Sequence, residues 1–84
     1  MIRADLIKFR ENQTPTAEEL DKRPEHLKDK KGLLQVEMAK RLKRSRIHWN
    51  KIERGVNEPS VELLEIFSNE FPECDDVLRL FKKC

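Results

Sequence analysis

Between Gly32 and Phe71 the chain alternates helix-start and helix-stop signals at intervals that leave room only for a stack of short helices. Leu34 to Leu42 places Met38, Ala39 and Leu42 on one helical face. Ser45 is a good N-cap, because its hydroxyl can take an early backbone N–H. Gly55 supplies the left-handed residue that closes the helix expected to run to about Arg54. Asn57-Glu58-Pro59 forms a turn. Ser60 then caps a helix expected over 61–69, with Val61, Leu64, Phe67 and Phe71 facing a core.

The flanks read as helical too. In residues 1–13, Ile2, Leu6 and Phe9 fit one helical face, though the segment is too short for periodicity alone to separate helix from strand. Thr16 with Glu19 three residues on is a capping-box pair, so a short turn is expected near 17–22. Pro24 interrupts it, and a helix is expected from about 24 to 31, closed by Gly32. Pro72 opens a last helix to about Lys83, with Asp75 and Asp76 in its first turn and Lys82 and Lys83 in its last, as the helix dipole favours. No repeat and no strong strand signal is present. The expected fold class is all-α, with residues 1–23 as an N-terminal extension (an arm or an extra helix) and 24–84 as the domain proper.

Eighty-four residues make one small domain. The net charge of +2 conceals a segregation: residues 32–55 hold seven Lys/Arg against two Asp/Glu, whereas 56–84 hold three against seven. A local excess of +5 is what a phosphate backbone would feel. Two cysteines, Cys74 and Cys84, do not make a secreted disulfide framework, and no apolar run reaches membrane-spanning length. MIRADLIKFR lacks the apolar core of a signal peptide. A cytoplasmic protein with reduced thiols is expected. There is no Gly-rich phosphate loop, nucleophile elbow or zinc-like His/Cys spacing, so neither an enzyme, nor a metal site, nor a cofactor is expected.

Gln35 to Gly55, QVEMAKRLKRSRIHWNKIERG, is two short helices with a tight, glycine-free break at Lys43–Arg44. The second carries Arg46, Ile47, His48, Asn50 and Lys51 on its accessible side. That is the helix-turn-helix pattern, in which one helix braces and the next enters a DNA groove. Gly32-Leu-Leu-Gln-Val-Glu-Met-Ala-Lys-Arg-Leu, Ser45, Lys51-Ile-Glu-Arg-Gly55 and Asn57-Glu-Pro-Ser-Val61 together resemble the Cro/C1 (lambda repressor-like) helix-turn-helix family over about 40 residues. Gln35, Ala39, the Ile52–Gly55 group and Pro59–Ser60 keep the family spacing. Three residues depart from it. Lys43 stands in place of the usual turn glycine, Leu34 in place of a Ser/Thr cap, and Trp49 in place of an aliphatic core residue.

The resemblance implies a five-helix repressor-like domain and a set of roles. Base reading would fall on Arg46, Ile47 and Lys51, with Asn50 beside them. Arginine and lysine can donate to guanine O6 and N7, and a methyl-rich side chain can meet a thymine methyl. Gln35 would hold a phosphate, as would Lys43, Arg44, Ser45, Arg54 and Asn57 around the helix start and the following loop. Glu53 would pair with a basic residue on the first helix, at the position matched here by Lys28. Ala39 would sit at the helix crossing, and Trp49 would be core. The stripe Val77, Leu78, Leu80 and Phe81 could cover the domain's own core. It is also broad enough to supply a homodimer interface. The expected function is a sequence-specific transcriptional regulator: a small dimeric (auto)repressor of phage, restriction–modification or mobile-element type. It would bind double-stranded DNA through the major groove of a two-fold operator. The same fold could instead serve as an antitoxin or another protein-binding module with a protein partner.

Overall fold

The computed structural model describes residues 1–83, so Cys84, and with it the second expected thiol, lies outside the described residues. Those residues form six short α-helices and one 3-10 turn, with no strand among them: α1 (Ala4–Glu11), α2 (Ala17–Lys22), the turn Glu25–Leu27, α3 (Gln35–Arg41), α4 (Arg46–Glu53), α5 (Val61–Glu70) and α6 (Val77–Leu80). Local chemistry sets most of the boundaries. Thr16 and Glu19 close a full capping box at the start of α2. The hydroxyls of Ser45, Ser60 and the carboxylate of Asp76 accept the N–H of His48, Leu63 and Arg79 at 3.1 Å each. Leu34 has no side-chain acceptor, so α3 keeps half a box: Glu37 Oε1 takes the Leu34 N–H at 2.8 Å.

One core gathers Leu6 from α1, Leu33, Met38, Ala39 and Leu42 around α3, Trp49 and Ile52 from α4, Leu63, Phe67 and Phe71 from α5, and Phe81. All five aromatic residues of the chain lie on one path through it. Phe9 meets Phe71 edge-on at 5.2 Å, Phe71 meets Phe67 at 4.9 Å, Phe67 meets Phe81 at 5.1 Å, and Phe81 meets Trp49 at 6.2 Å. All but the tilted Phe71–Phe67 pair are edge-to-face, and such contacts each add about 0.5–1.5 kcal/mol beyond burial.

Residues 1–23 are not an arm. Leu6 is fully buried and α1 packs against α4 and α6. Arg3 is 1% exposed. Its guanidinium donates to the carbonyls of Phe81 (2.6 Å), Ile52 (2.5 Å) and Asn57 (3.0 Å) and to Glu58 Oε2 (2.8 Å). Carbonyls at helix ends carry partial negative charge, and one buried cation serves the ends of both α4 and α6. A Cβ at Gly55 would stand 1.8 Å from the Met1 carbonyl, and one at Gly32 would stand 2.1 Å from the Glu11 carbonyl, so both glycines admit the N-terminal segment.

Three expected elements differ. The helix over 24–31 is only a 3-10 turn at 25–27: its bonds run three residues back, from Leu27 to Pro24, Lys28 to Glu25 and Lys30 to Leu27, and Arg23 takes the Lys30 and Gly32 carbonyls that follow. The last helix spans Val77–Leu80 instead of 72–83: Asp76 caps it late, and Arg3 takes the Phe81 carbonyl. On α5 the inward set is Leu63, Phe67 and Phe71, with Leu64 partly buried and Val61 72% exposed.

α2 contributes no buried residue. It stands off α3 across a groove of about 490 Å³ spanned by two bidentate bridges, Arg23–Glu37 (2.7 and 2.7 Å) and Arg41–Glu19 (2.9 and 2.6 Å). The Arg41 guanidinium holds the Glu19 carboxyl at about 2, against an ordinary 4.5. The folded state therefore binds that proton more weakly than the unfolded chain. This contribution is complete above pH 4.5 and disappears as pH falls toward 2. Glu19→Gln should lower the melting temperature at neutral pH and flatten the acid limb of a Tm-versus-pH curve over that window. An unchanged acid limb would show that the pair carries no stability.

Candidate nucleic-acid interface

Among the described residues, α3 and α4 share the most extensive helix–helix contact. Ala39, 1% exposed, belongs to the core at their junction, where a larger side chain would force them apart. The junction turn is a Schellman motif: the Arg44 N–H reaches the Ala39 carbonyl (2.9 Å) and the Lys43 N–H reaches Lys40 (3.1 Å). The same pattern closes α4, with Val56 N–H on Lys51 (2.9 Å) and Gly55 N–H on Ile52 (3.1 Å). Both need a left-handed residue. Gly55 takes it at φ +76, but at the α3 end the residue is Lys43, at φ +58. It is the only described residue other than glycine with positive φ. The turn thus keeps the glycine geometry without the glycine, at a cost of about 1–2 kcal/mol.

The orientation of α4 is fixed from below by Glu53, 1% exposed. Its carboxylate accepts from Arg10 Nε (2.6 Å) and Nη2 (3.3 Å), from Gln35 Nε2 (2.8 Å) and from Trp49 Nε1 (2.7 Å). The cation is Arg10 of α1, not Lys28, whose Nζ turns back to the carbonyls of Leu20 (3.3 Å) and Asp21 (3.4 Å). Arginine suits the place because its fork reaches both carboxylate oxygens and sends a third donor to the Leu33 carbonyl at 2.8 Å. Trp49 is fully buried, and its indole N–H, a group that needs a partner in a core, is satisfied by Glu53.

On the opposite side α4 presents Arg46, Ile47 and Lys51 to solvent, with Ile47 62% exposed. Among the described residues none of Lys43, Arg46, Lys51 or Arg54 has an acidic partner within 4.0 Å. By contrast Arg3, Arg10, Arg23 and Arg41 are all paired. The remaining site residues are more committed. Asn50 donates to Gln35 Oε1 at 3.2 Å, so the two amides bind each other across the helix pair. Arg44 is partly buried and lies 3.6 Å from Glu62. Ser45 is exposed, with its oxygen engaged as the α4 cap. Asn57 is half-buried and gives its carbonyl to Arg3. His48 is half-buried.

The apolar stripe at the end of the chain divides. Phe81 is 6% exposed and belongs to the domain's own core, and Val77 and Leu80 lean on that core. Leu78 alone stands out, 72% exposed, beside Val61 in a groove of about 440 Å³ between α5 and α6. Sequence reasoning passed over Arg3, Arg10 and Arg23 as structural groups, because a cation's buried partners come from distant segments that spacing does not reveal. No cluster of three potential metal ligands occurs among the described residues, and no described helix is long and apolar enough to cross a membrane.

No family model matches the chain, and no curated protein or solved structure is significantly similar to it.

Replacing Lys43 with glycine relieves the left-handed lysine but adds freedom to the unfolded chain. Stability should rise by about 0.5–1 kcal/mol, read in a urea melt. A fall in stability would mean that the lysine side chain makes compensating contacts.

Proposed function

We propose that this protein is a sequence-specific DNA-binding regulator in which α3 braces and α4 reads the major groove. The observation that carries the reading is the division among the cations. The arginines that hold the fold are matched to carboxylates, whereas Lys43, Arg46, Lys51 and Arg54 face solvent around α4 without an acid partner among the described residues. Unneutralised cations on and around one exposed helix are what a phosphate backbone attracts. The left-handed Lys43 supports the same reading. A residue kept in a costly conformation where glycine would be easier suggests that its charge is used.

In this reading α1, α3, α4, α5 and α6 take the places of the five helices of a Cro/C1-like domain, with α2 and the 3-10 turn added between the first two. The Arg10–Glu53 pair fits the bond between first helix and reading helix that the resemblance implies. Arg46, Ile47 and Lys51 are the base readers. Asn50 and Gln35 are partly spent on each other, which favours positioning and phosphate contact over free base readout. The domain acts without catalysis or cofactor, as a repressor controlled by its own concentration. A second copy would dock through Leu78 and Val61, placing two reading helices about 34 Å apart on a two-fold operator.

In vitro selection of a binding site from random duplexes is the direct test, and failure to enrich any sequence would overturn the proposal. On the selected site, Arg46→Ala and Lys51→Ala should each cost about 1–3 kcal/mol and relax preference at one base position. Equal weakening on all sequences would reassign that residue to phosphate. Leu78→Glu should yield monomers in light scattering without lowering stability; an unchanged mass would remove this groove as the dimer contact.

A further inference from the structure

The groove between α2 and α3 has no part in the site above, since no residue of α4 lines it. Its volume of about 490 Å³ falls within the range of about 300–1,000 Å³ usual for small-molecule sites. Pro24 and Leu27, at the 3-10 turn, and Leu34 and Val36, at the start of α3, give it apolar surface. Val36 is 50% exposed there, an aliphatic side chain that the core does not use. Apolar walls facing water gain by closing on each other. These are propped apart. Arg23–Glu37 joins them near the start of α3, and Arg41–Glu19 joins them at its end. A bidentate fork fixes distance and angle together, and the Arg23 guanidinium is further tied to the carbonyls of Leu27, Lys30 and Gly32. α2 itself buries no residue, so no apolar contact of its own draws it down onto α3. The groove is preformed.

The charges around it indicate what it would take. Seven ionisable side chains line the groove, and six of them are matched to one another: Glu18 with Lys22 at 2.9 Å, Glu19 with Arg41, and Arg23 with Glu37. The seventh is Lys40. It is exposed, and it has no acid within 4.0 Å among the described residues. It lies one turn along α3 from Val36, so the free cation and the exposed aliphatic side chain share a wall. The opposite wall feels it: Lys22, and after it Lys40, hold the Glu18 carboxyl below its ordinary 4.5. An occupant bearing a cation would be repelled by Lys40, and a neutral one would leave it unmatched. A single negative charge completes the set.

We propose that this groove is a binding site for a small amphipathic monoanion, an apolar body carrying one carboxylate. The body lies along Leu27, Leu34 and Val36, and the carboxylate meets the Lys40 ammonium. Arg23 and Arg41 are positioning residues: their forks stay on Glu37 and Glu19 and hold the walls apart. The site stands independently of the DNA reading of α4.

The test titrates the full chain, labelled with nitrogen-15, with octanoate and separately with 1-octanol, two probes of matched length that differ in charge. Octanoate should give saturable amide shifts centred on Leu34, Val36 and Lys40. Lys40→Gln should lower the ratio of octanoate to octanol affinity by about two- to fivefold, the worth of an exposed ion pair. Val36→Gln removes apolar wall instead of charge, so it should weaken both probes by a common factor and keep the ratio. Both side chains are exposed, and a urea melt of each variant checks that the fold is kept. Absence of saturable shifts, or shifts centred on Val61 and Leu78 at the other groove, would overturn the site. An unchanged affinity ratio in Lys40→Gln would overturn the choice of an anion. Undiminished binding in Val36→Gln would show diffuse attraction to the surface and overturn the site as well.

Discussion

A single buried carboxylate sets the geometry of this molecule. Glu53 receives donors from three helices: Arg10 from α1, Gln35 from α3 and Trp49 from its own α4. A lone carboxylate in such surroundings would be very unfavourable, so its burial depends on all of these partners arriving together. Conversely, only one arrangement of the three helices brings them there. Apolar contacts are not directional, so the core alone sets the position of α4 on α3 less strictly than hydrogen bonds do. The hydrogen-bonded carboxylate fixes it, and the outward face of α4 inherits that fixity.

The same device recurs around the domain with different partners. Arg3 collects carbonyls at the ends of α4 and α6, Arg23 ties a loop to α3, and Arg41 ties α2 to α3. A chain of this size has one modest core, and several of its segments contribute little to it. Arginine forks supply what apolar burial cannot at those joints, using donors that match helix-end carbonyls and carboxylates in pairs. The high content of charged residues, 40% of the chain, is therefore partly internal architecture. Only the subset left over on the surface is available to another molecule.

This division explains what was legible in the sequence. Caps are local, so Thr16–Glu19, Ser45, Gly55 and Ser60 announced α2, α4 and α5 from spacing alone. The burial of Met38, Ala39 and Leu42 followed from helical periodicity, and that of Trp49 from the resemblance. What spacing could not supply was the choice of partner. Arg10 and Lys28 are both cations upstream of Glu53, and nothing local distinguishes them; the distinction is that α1 packs against α4. The segment over 24–31 likewise closes as a 3-10 turn, and the distant Arg23 takes the carbonyls that follow it. The short α6 reflects a cap at Asp76, and Phe81 was drawn inward by aromatic neighbours on other helices. Lys43 is the instructive intermediate case. Its position in the turn was plain, while its left-handed backbone emerges only because both flanking helices insist on their ends.

The two sides of α4 share no side chain. Trp49, Ile52 and Glu53 hold the helix in place, while the side chains of Arg46, Ile47 and Lys51 point away and form no hydrogen bond or ion pair among the described residues. Substitution on the outer side is thus largely decoupled from folding stability. A lineage carrying this domain can explore new outward sequences one residue at a time without passing through unfolded intermediates. The buried Glu53 assembly acts as a fixed chassis, and the outward face it carries can change without disturbing it.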